Sequence, residues 1–129
     1  MTTTLHYSIV NFFETRMANH NRVQRYTRIS VADEYIYKID RSAGLKSVNV
    51  FLSDAYRYGY ADYLARPKHI RRGDFILIVR PEAGFDEAIT ERARKDGIGI
   101  GKIGKFMGAL NTPAMCNYIS PEERKQNGR

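Results

Sequence analysis

Val48-Asn49-Val50-Phe51-Leu52-Ser53-Asp54 alternates apolar and other side chains at the two-residue period of a strand and runs straight into Ala55-Tyr56-Arg57-Tyr58-Gly59-Tyr60-Ala61-Asp62-Tyr63. From Asp54 to Ala65 the chain can coil into a helix, capped by Ser53 or Asp54 and stopped by Pro67. Asp74-Phe75-Ile76-Leu77-Ile78-Val79-Arg80 follows, apolar without interruption from Phe75 to Val79. A strand buried on both faces has that composition, which places it in the middle of a sheet. Strand, helix and strand in this order make a crossover, so the two strands can lie parallel.

Working outward toward the N-terminus, Leu5, Ile9, Val10, Phe12, Phe13 and Met17 recur at helical spacing. They predict an amphipathic helix from Leu5 to about Arg25, with a break near Asn19-His20-Asn21. Thr27 to Val31 and Tyr35 to Ile39 carry β-branched and aromatic residues in alternation, and Arg41-Ser42-Ala43-Gly44 is a turn. These two segments predict antiparallel strands. On the other side, Asp86 to Lys95 predicts a helix closed by Gly97, and Ile98, Ile100 and Ile103 a short strand. The expected architecture is an α/β domain with a mixed central sheet of four or five strands flanked by helices. It occupies residues 1–119, with 120–129 as a polar, flexible tail and no internal repeat.

A chain of 129 residues supports one core. Its 21 lysines and arginines against 14 acids leave a net charge of +7, which favours a polyanionic partner such as nucleic acid. One cysteine, Cys116, excludes an internal disulfide and a cysteine-based zinc site, and fits a reducing, cytoplasmic setting. The start has no signal-peptide pattern, and no apolar run approaches the ~20 residues that span a bilayer, so no membrane is expected.

Arg66, Lys68, His69, Arg71 and Arg72 form the densest basic run, in a loop bounded by Pro67 and Gly73. Such a loop either follows a phosphate backbone or is simply solvated. Gly99-Ile100-Gly101-Lys102-Ile103-Gly104-Lys105-Phe106 matches seven positions of a phosphate-binding loop, but Phe106 stands where a hydroxyl residue must bind magnesium. It is read as a glycine-rich strand and turn with Lys102 and Lys105 as phosphate contacts. Arg57 lies among Tyr56, Tyr58, Tyr60 and Tyr63, the mixture that base stacking uses. At helical spacing Tyr56, Tyr60 and Tyr63 share a face that packs on the sheet or forms a subunit contact, as in a homodimer, and Tyr58 points outward. The histidines His6, His20 and His69 lack companions at metal-ligand spacing, and no nucleophile elbow is present.

The order helix, antiparallel strands, strand, helix, strand, helix, strand resembles the core of the restriction-endonuclease-like nuclease superfamily over roughly residues 5–110. The Pro81-Glu82 that ends one strand and the Gly97-Ile98-Gly99 segment are similar too. The resemblance implies a nucleic-acid partner, DNA before RNA, and a site where carboxylates hold Mg2+ or Mn2+ and a lysine orients the attacking water. Asp33 aligns with the first carboxylate and would be the metal ligand, with Asp40 as second choice. Asn49 then stands in place of the glutamate and Phe51 in place of the lysine. An amide is a weak neutral ligand and a phenyl ring carries no charge, so this site, Asp33, Glu34 and Asn49, is degenerate. Glu34, Lys38 and Asp54 are the residues that would have to move in if catalysis survived. The resulting expectation is a nuclease-like protein that binds nucleic acid through Arg57, Arg66, Lys68, Arg71, Arg72, Lys102 and Lys105 and needs no cofactor. The alternatives are a metal-dependent nuclease with relocated ligands and a protein-interaction or structural subunit.

Overall fold

The computed structural model describes residues 5–29, 34–121 and 123. Helix α1 (Tyr7–Ala18) starts where His6 Nδ1 accepts the Ser8 N–H, and buries Phe13 and Met17. It stops well short of Arg25. His20 there donates from Nε2 to the Met107 carbonyl and accepts the Arg22 N–H at Nδ1, which holds the chain in a turn. Strand β1 (Val23–Arg28) pairs antiparallel with β2 (Ile36–Arg41), and β2 antiparallel with β3 (Val48–Ser53). The first strand therefore begins four residues earlier than Thr27. The rest of the predicted hairpin, from Ser30 to Asp33, lies outside the described residues.

After β3 comes a short strand β4 (Arg57–Tyr58) and a single-turn helix α2 (Tyr60–Leu64), where a helix from Asp54 to Ala65 was expected. Gly59 is extended and Asp62 Oδ2 accepts its N–H at 2.9 Å, so the helix starts only beyond it. Tyr58 is buried, contrary to its outward assignment, and Tyr56 and Tyr60 are exposed. Strand β5 (Phe75–Ile78) lies parallel to β3, and β6 (Gly84–Phe85) pairs with β4. Helix α3 (Glu87–Lys95), strand β7 (Gly99–Gly101), helix α4 (Ile103–Ala109) and a 3-10 turn (Met115–Asn117) complete the described fold. The sheet order is β1-β2-β3-β5-β7, a mixed five-stranded sheet as expected.

Strand alternation sorts the core into two layers. Val48, Val50 and Leu52 join Phe75 and Leu77 under Phe13, Met17, Phe106 and Leu110, so α1 and α4 cover one face. Ile76, Ile78, Ile98 and Ile100 face the other way, beneath Tyr63, Ile89 and Ala93 of α2 and α3. These side chains are buried, and truncating a leucine, isoleucine, methionine or phenylalanine among them to alanine costs about 2–5 kcal/mol. The crossovers β3-α2-β5 and β5-α3-β7 leave all three parallel strands starting at one edge of the sheet. That edge carries the groups considered next.

Candidate nucleic-acid interface

Asp33, the proposed metal ligand, lies outside the described residues. Glu34 is half-buried, and its carbonyl accepts from Arg28 Nη2 at 2.9 Å. Asn49 is the second residue of β3 and lies opposite Lys38. Its backbone N–H donates to Asp74 Oδ1 at 2.9 Å and its Nδ2 to the His69 carbonyl at 3.4 Å. Phe51 packs against the α2 and α3 layer. Asp40 accepts from Ser47 Oγ at 2.6 Å and from Arg25 Nε at 3.1 Å, and these bonds hold its carboxyl below the usual aspartate value. Asp54 is bound by Arg80 through its carbonyl and carboxylate. Among the described residues no three His, Cys, Asp or Glu side chains converge as metal ligands.

The basic loop is built on anchors. Arg66 donates to the carbonyls of Ile70 and Tyr63 and lies over the Tyr63 ring at 4.4 Å, so this arginine braces the loop from inside. Pro67 and Ile70 are buried, and Gly73, at φ +99°, donates its N–H to the Gly97 carbonyl. Asp74 closes the turn by accepting the Arg71 N–H at 2.9 Å. Burial raises the Asp74 carboxyl, and its two backbone donors offset this only in part. What the frame leaves on the surface is Lys68, Arg71 and Arg72, whose side chains have no hydrogen-bond or ion-pair partner among the described residues.

The other candidate contacts do not join them. Lys102 and Arg57 come after the C-terminal ends of β7 and β3, at the opposite end of the parallel strands from the loop. Lys102 Nζ donates to the Pro81 carbonyl at 2.6 Å, beside an apolar groove of about 410 Å3 between α1 and α4. Lys105 is buried, its stem against Gly101 and its ammonium 3.0 Å from Glu123. It is therefore an internal cation and no phosphate contact. Glu123 in turn exchanges bonds with Ser120, so the segment read as a loose tail begins with an anchored turn. The glycine-rich run is a strand followed by helix α4, in place of a strand and turn.

Three cations at the loop's edge, Arg41, Lys46 and Arg94, are not among the candidates that the sequence offers. Arg41 is only 5% exposed, at the end of β2, and Arg94 of α3 donates to the Cys116 carbonyl. The alternation Tyr37, Ile39, Arg41 carries the signal for the first, since it assigns Arg41 to the apolar face. Both border a cavity of about 430 Å3 with Lys46 and Arg72. No helix among the described residues is long and apolar enough to cross a membrane. Compared with protein-family models, curated proteins and solved structures, the chain matches none.

Proposed function

We propose that this domain binds nucleic acid, duplex DNA before RNA, on a frame similar to the restriction-endonuclease-like core whose metal chemistry has been lost. The carrying observation is the loop at the N-terminal edge of the parallel strands, where Lys68, Arg71 and Arg72 stand exposed on a braced turn with no partner among the described residues. Among the described residues most of the other arginines are occupied: Arg25, Arg80, Arg92 and Arg94 form ion pairs, and Arg28, Arg41 and Arg66 bind carbonyls. Three free cations on a rigid turn carry little benefit for the fold, because exposed charges contribute little to stability. They suit a partner with closely spaced phosphates. The element order, antiparallel hairpin followed by parallel crossovers, supports the resemblance. Asn49, engaged by Asp74 and His69, supports its degenerate form.

Titration of labelled duplex and single-stranded oligonucleotides tests the reading. Three phosphate contacts predict a salt slope near −2.7 and an affinity loss of about 40-fold between about 50 and 200 mM salt. Absence of binding at low salt would overturn it. One observation favours a protein-interaction subunit as the second reading: Tyr56, Tyr60 and Leu64 are 66%, 48% and 58% exposed within nine residues of chain.

A further inference from the structure

The cavity beside the basic loop has the composition of an anion site. It opens at the N-terminal edge of β3, β5 and β7, and the segment from Pro113 to Asn117 forms its outer wall. Four of its lining residues are cations, Arg41, Lys46, Arg72 and Arg94, of which Arg94 is already paired with Glu91. Among the described residues Asp74 is the one acid that lines it, and both its oxygens already accept backbone N–H groups, from Asn49 and Arg71.

Arg41 is the informative member. Its guanidinium donates from Nε to the Lys46 carbonyl at 2.8 Å and from Nη1 to the Leu110 and Thr112 carbonyls at 3.1 and 2.7 Å. Nη2 has only a long contact of 3.5 Å to the Pro113 carbonyl, so one of its two N–H groups has no acceptor among the described residues. Among the described residues no carboxylate pairs with this buried charge. Burial pulls the Arg41 pKa down, the mark of a cation held without a counter-charge. A buried ion left unpaired is costly, and an anion in the cavity would supply the missing charge.

Arg72 is seated for the same purpose. Gly97 adopts φ +80°, and a Cβ on it would stand 2.7 Å from both Cγ and Nη1 of Arg72. The arginine therefore lies across a bare stretch of backbone that only glycine provides, which brings its exposed side chain to the cavity rim.

We propose that this cavity binds a phosphate monoester, with Arg41, Lys46 and Arg72 surrounding its oxygens. A monoester carries a charge of about −1.5 to −2 at neutral pH and matches the forked guanidinium geometry, whereas a phosphodiester or carboxylate brings a single charge. The volume exceeds that of phosphate alone and leaves room for an attached sugar. Two sources share this chemistry, a phosphorylated end of a nucleic-acid strand and a small phosphate. The first rests on the function proposed above, and the second does not.

The test uses the full chain at constant ionic strength. Short single strands bearing a 5′-phosphate, a 3′-phosphate or hydroxyl ends are titrated, and inorganic phosphate and a nucleoside monophosphate are added separately while the amide resonances of Gly73 and Gly97 are followed. The expected result is that one phosphorylated strand binds about tenfold tighter than its hydroxyl twin. Arg72→Ala and Lys46→Ala, both at exposed positions, each shrink that ratio toward one. Shifts with phosphate or the monophosphate, but no preference among strand ends, would assign the site to a small phosphate. Equal binding of all strands, with no shift on adding phosphate, would overturn the monoester site and leave nucleic-acid binding standing. Shifts with phosphate but no strand binding at all would keep the site and overturn the nucleic-acid function.

Discussion

Asp74 Oδ1 accepts the backbone N–H of Asn49 at 2.9 Å, so the second residue of β3 is tied through its main chain to the residue that precedes β5. The Asn49 side chain adds only a 3.4 Å contact to the His69 carbonyl. Asn49→Ala is therefore expected to cost less than about 1 kcal/mol. Asp74→Ala strands two N–H groups at a 9% exposed position and is expected to cost about 2 kcal/mol. Denaturant titration of both variants distinguishes them, and equal losses would contradict the assignment of the bond to the backbone.

The raised Asp74 carboxyl sets the sign of a pH effect. Because its folded pKa exceeds the unfolded value, the native state binds the proton more tightly. Stability from this group is thus greatest in acid and falls as pH rises through the interval between the two values. Wild type and Asp74→Asn, melted at several pH values from about 3 to 7, should differ in slope with that sign.

Arg71→Ala with Arg72→Ala is expected to flatten the salt dependence of nucleic-acid binding by about 2 and to lower affinity at least about tenfold at low salt. Unfolding free energy should stay within about 0.5 kcal/mol, since both side chains are exposed. Arg66→Ala is the contrasting control: it removes two carbonyl bonds and a ring contact, so it should lower stability. Unchanged affinity in the double variant would shift the footprint to Arg57 and Lys102 at the opposite edge.

The sheet was legible because β3 and β5 carry two independent signals, alternation in one and an unbroken apolar run in the other. The stretch after β3 misled because aromatic spacing alone cannot reveal that Gly59 is extended and Tyr58 turned inward. Helix α4 was hidden by glycines, which are poor helix formers read locally. Packing explains one of them: Tyr118 lies against Gly108, and a Cβ there would collide with its ring and hydroxyl. The basic loop was visible as composition, but its division into a bracing Arg66 and a displayed Arg71 and Arg72 depends on Tyr63, Ile70 and Gly97. Lys105 could not be told from a surface lysine, because its partner Glu123 lies 18 residues away and meets it only in the folded chain.

That Lys105–Glu123 pair yields a second pH effect of opposite sign. Burial pushes the Glu123 carboxyl up, but the Ser120 N–H and the Lys105 ammonium together outweigh it and hold the group below the ordinary glutamate value. A depressed folded pKa means the stabilisation is present above the unfolded value near 4.5 and is lost as pH falls through the folded value. Glu123→Gln should lower stability by about 1–2 kcal/mol near neutral pH, with the gap to wild type closing below about pH 4. Thermal melts across that range check it, and a gap that persists in acid would show that the pair contributes through packing alone.

Purified protein is expected to show no magnesium- or manganese-dependent cleavage of plasmid, linear, branched or single-stranded substrates, with Asp33→Ala as the control. The reason lies in β3. Asn49 offers a metal a neutral amide that is turned toward His69, and Phe51 is packed in an apolar layer where a nuclease needs a cation to steady the attacking hydroxide. Cleavage by wild type that Asp33→Ala abolishes would show that other ligands have taken over. The converse experiment is Asn49→Glu with Phe51→Lys. Placing an ammonium in that layer costs about 1–3 kcal/mol, so the double variant is first checked for cooperative melting. If the folded variant gains metal-dependent cleavage and loses it again on Asp33→Ala, the alignment of all three positions is established by chemistry. A folded variant that binds neither metal nor gains activity argues that β3 does not occupy the place of a nuclease strand.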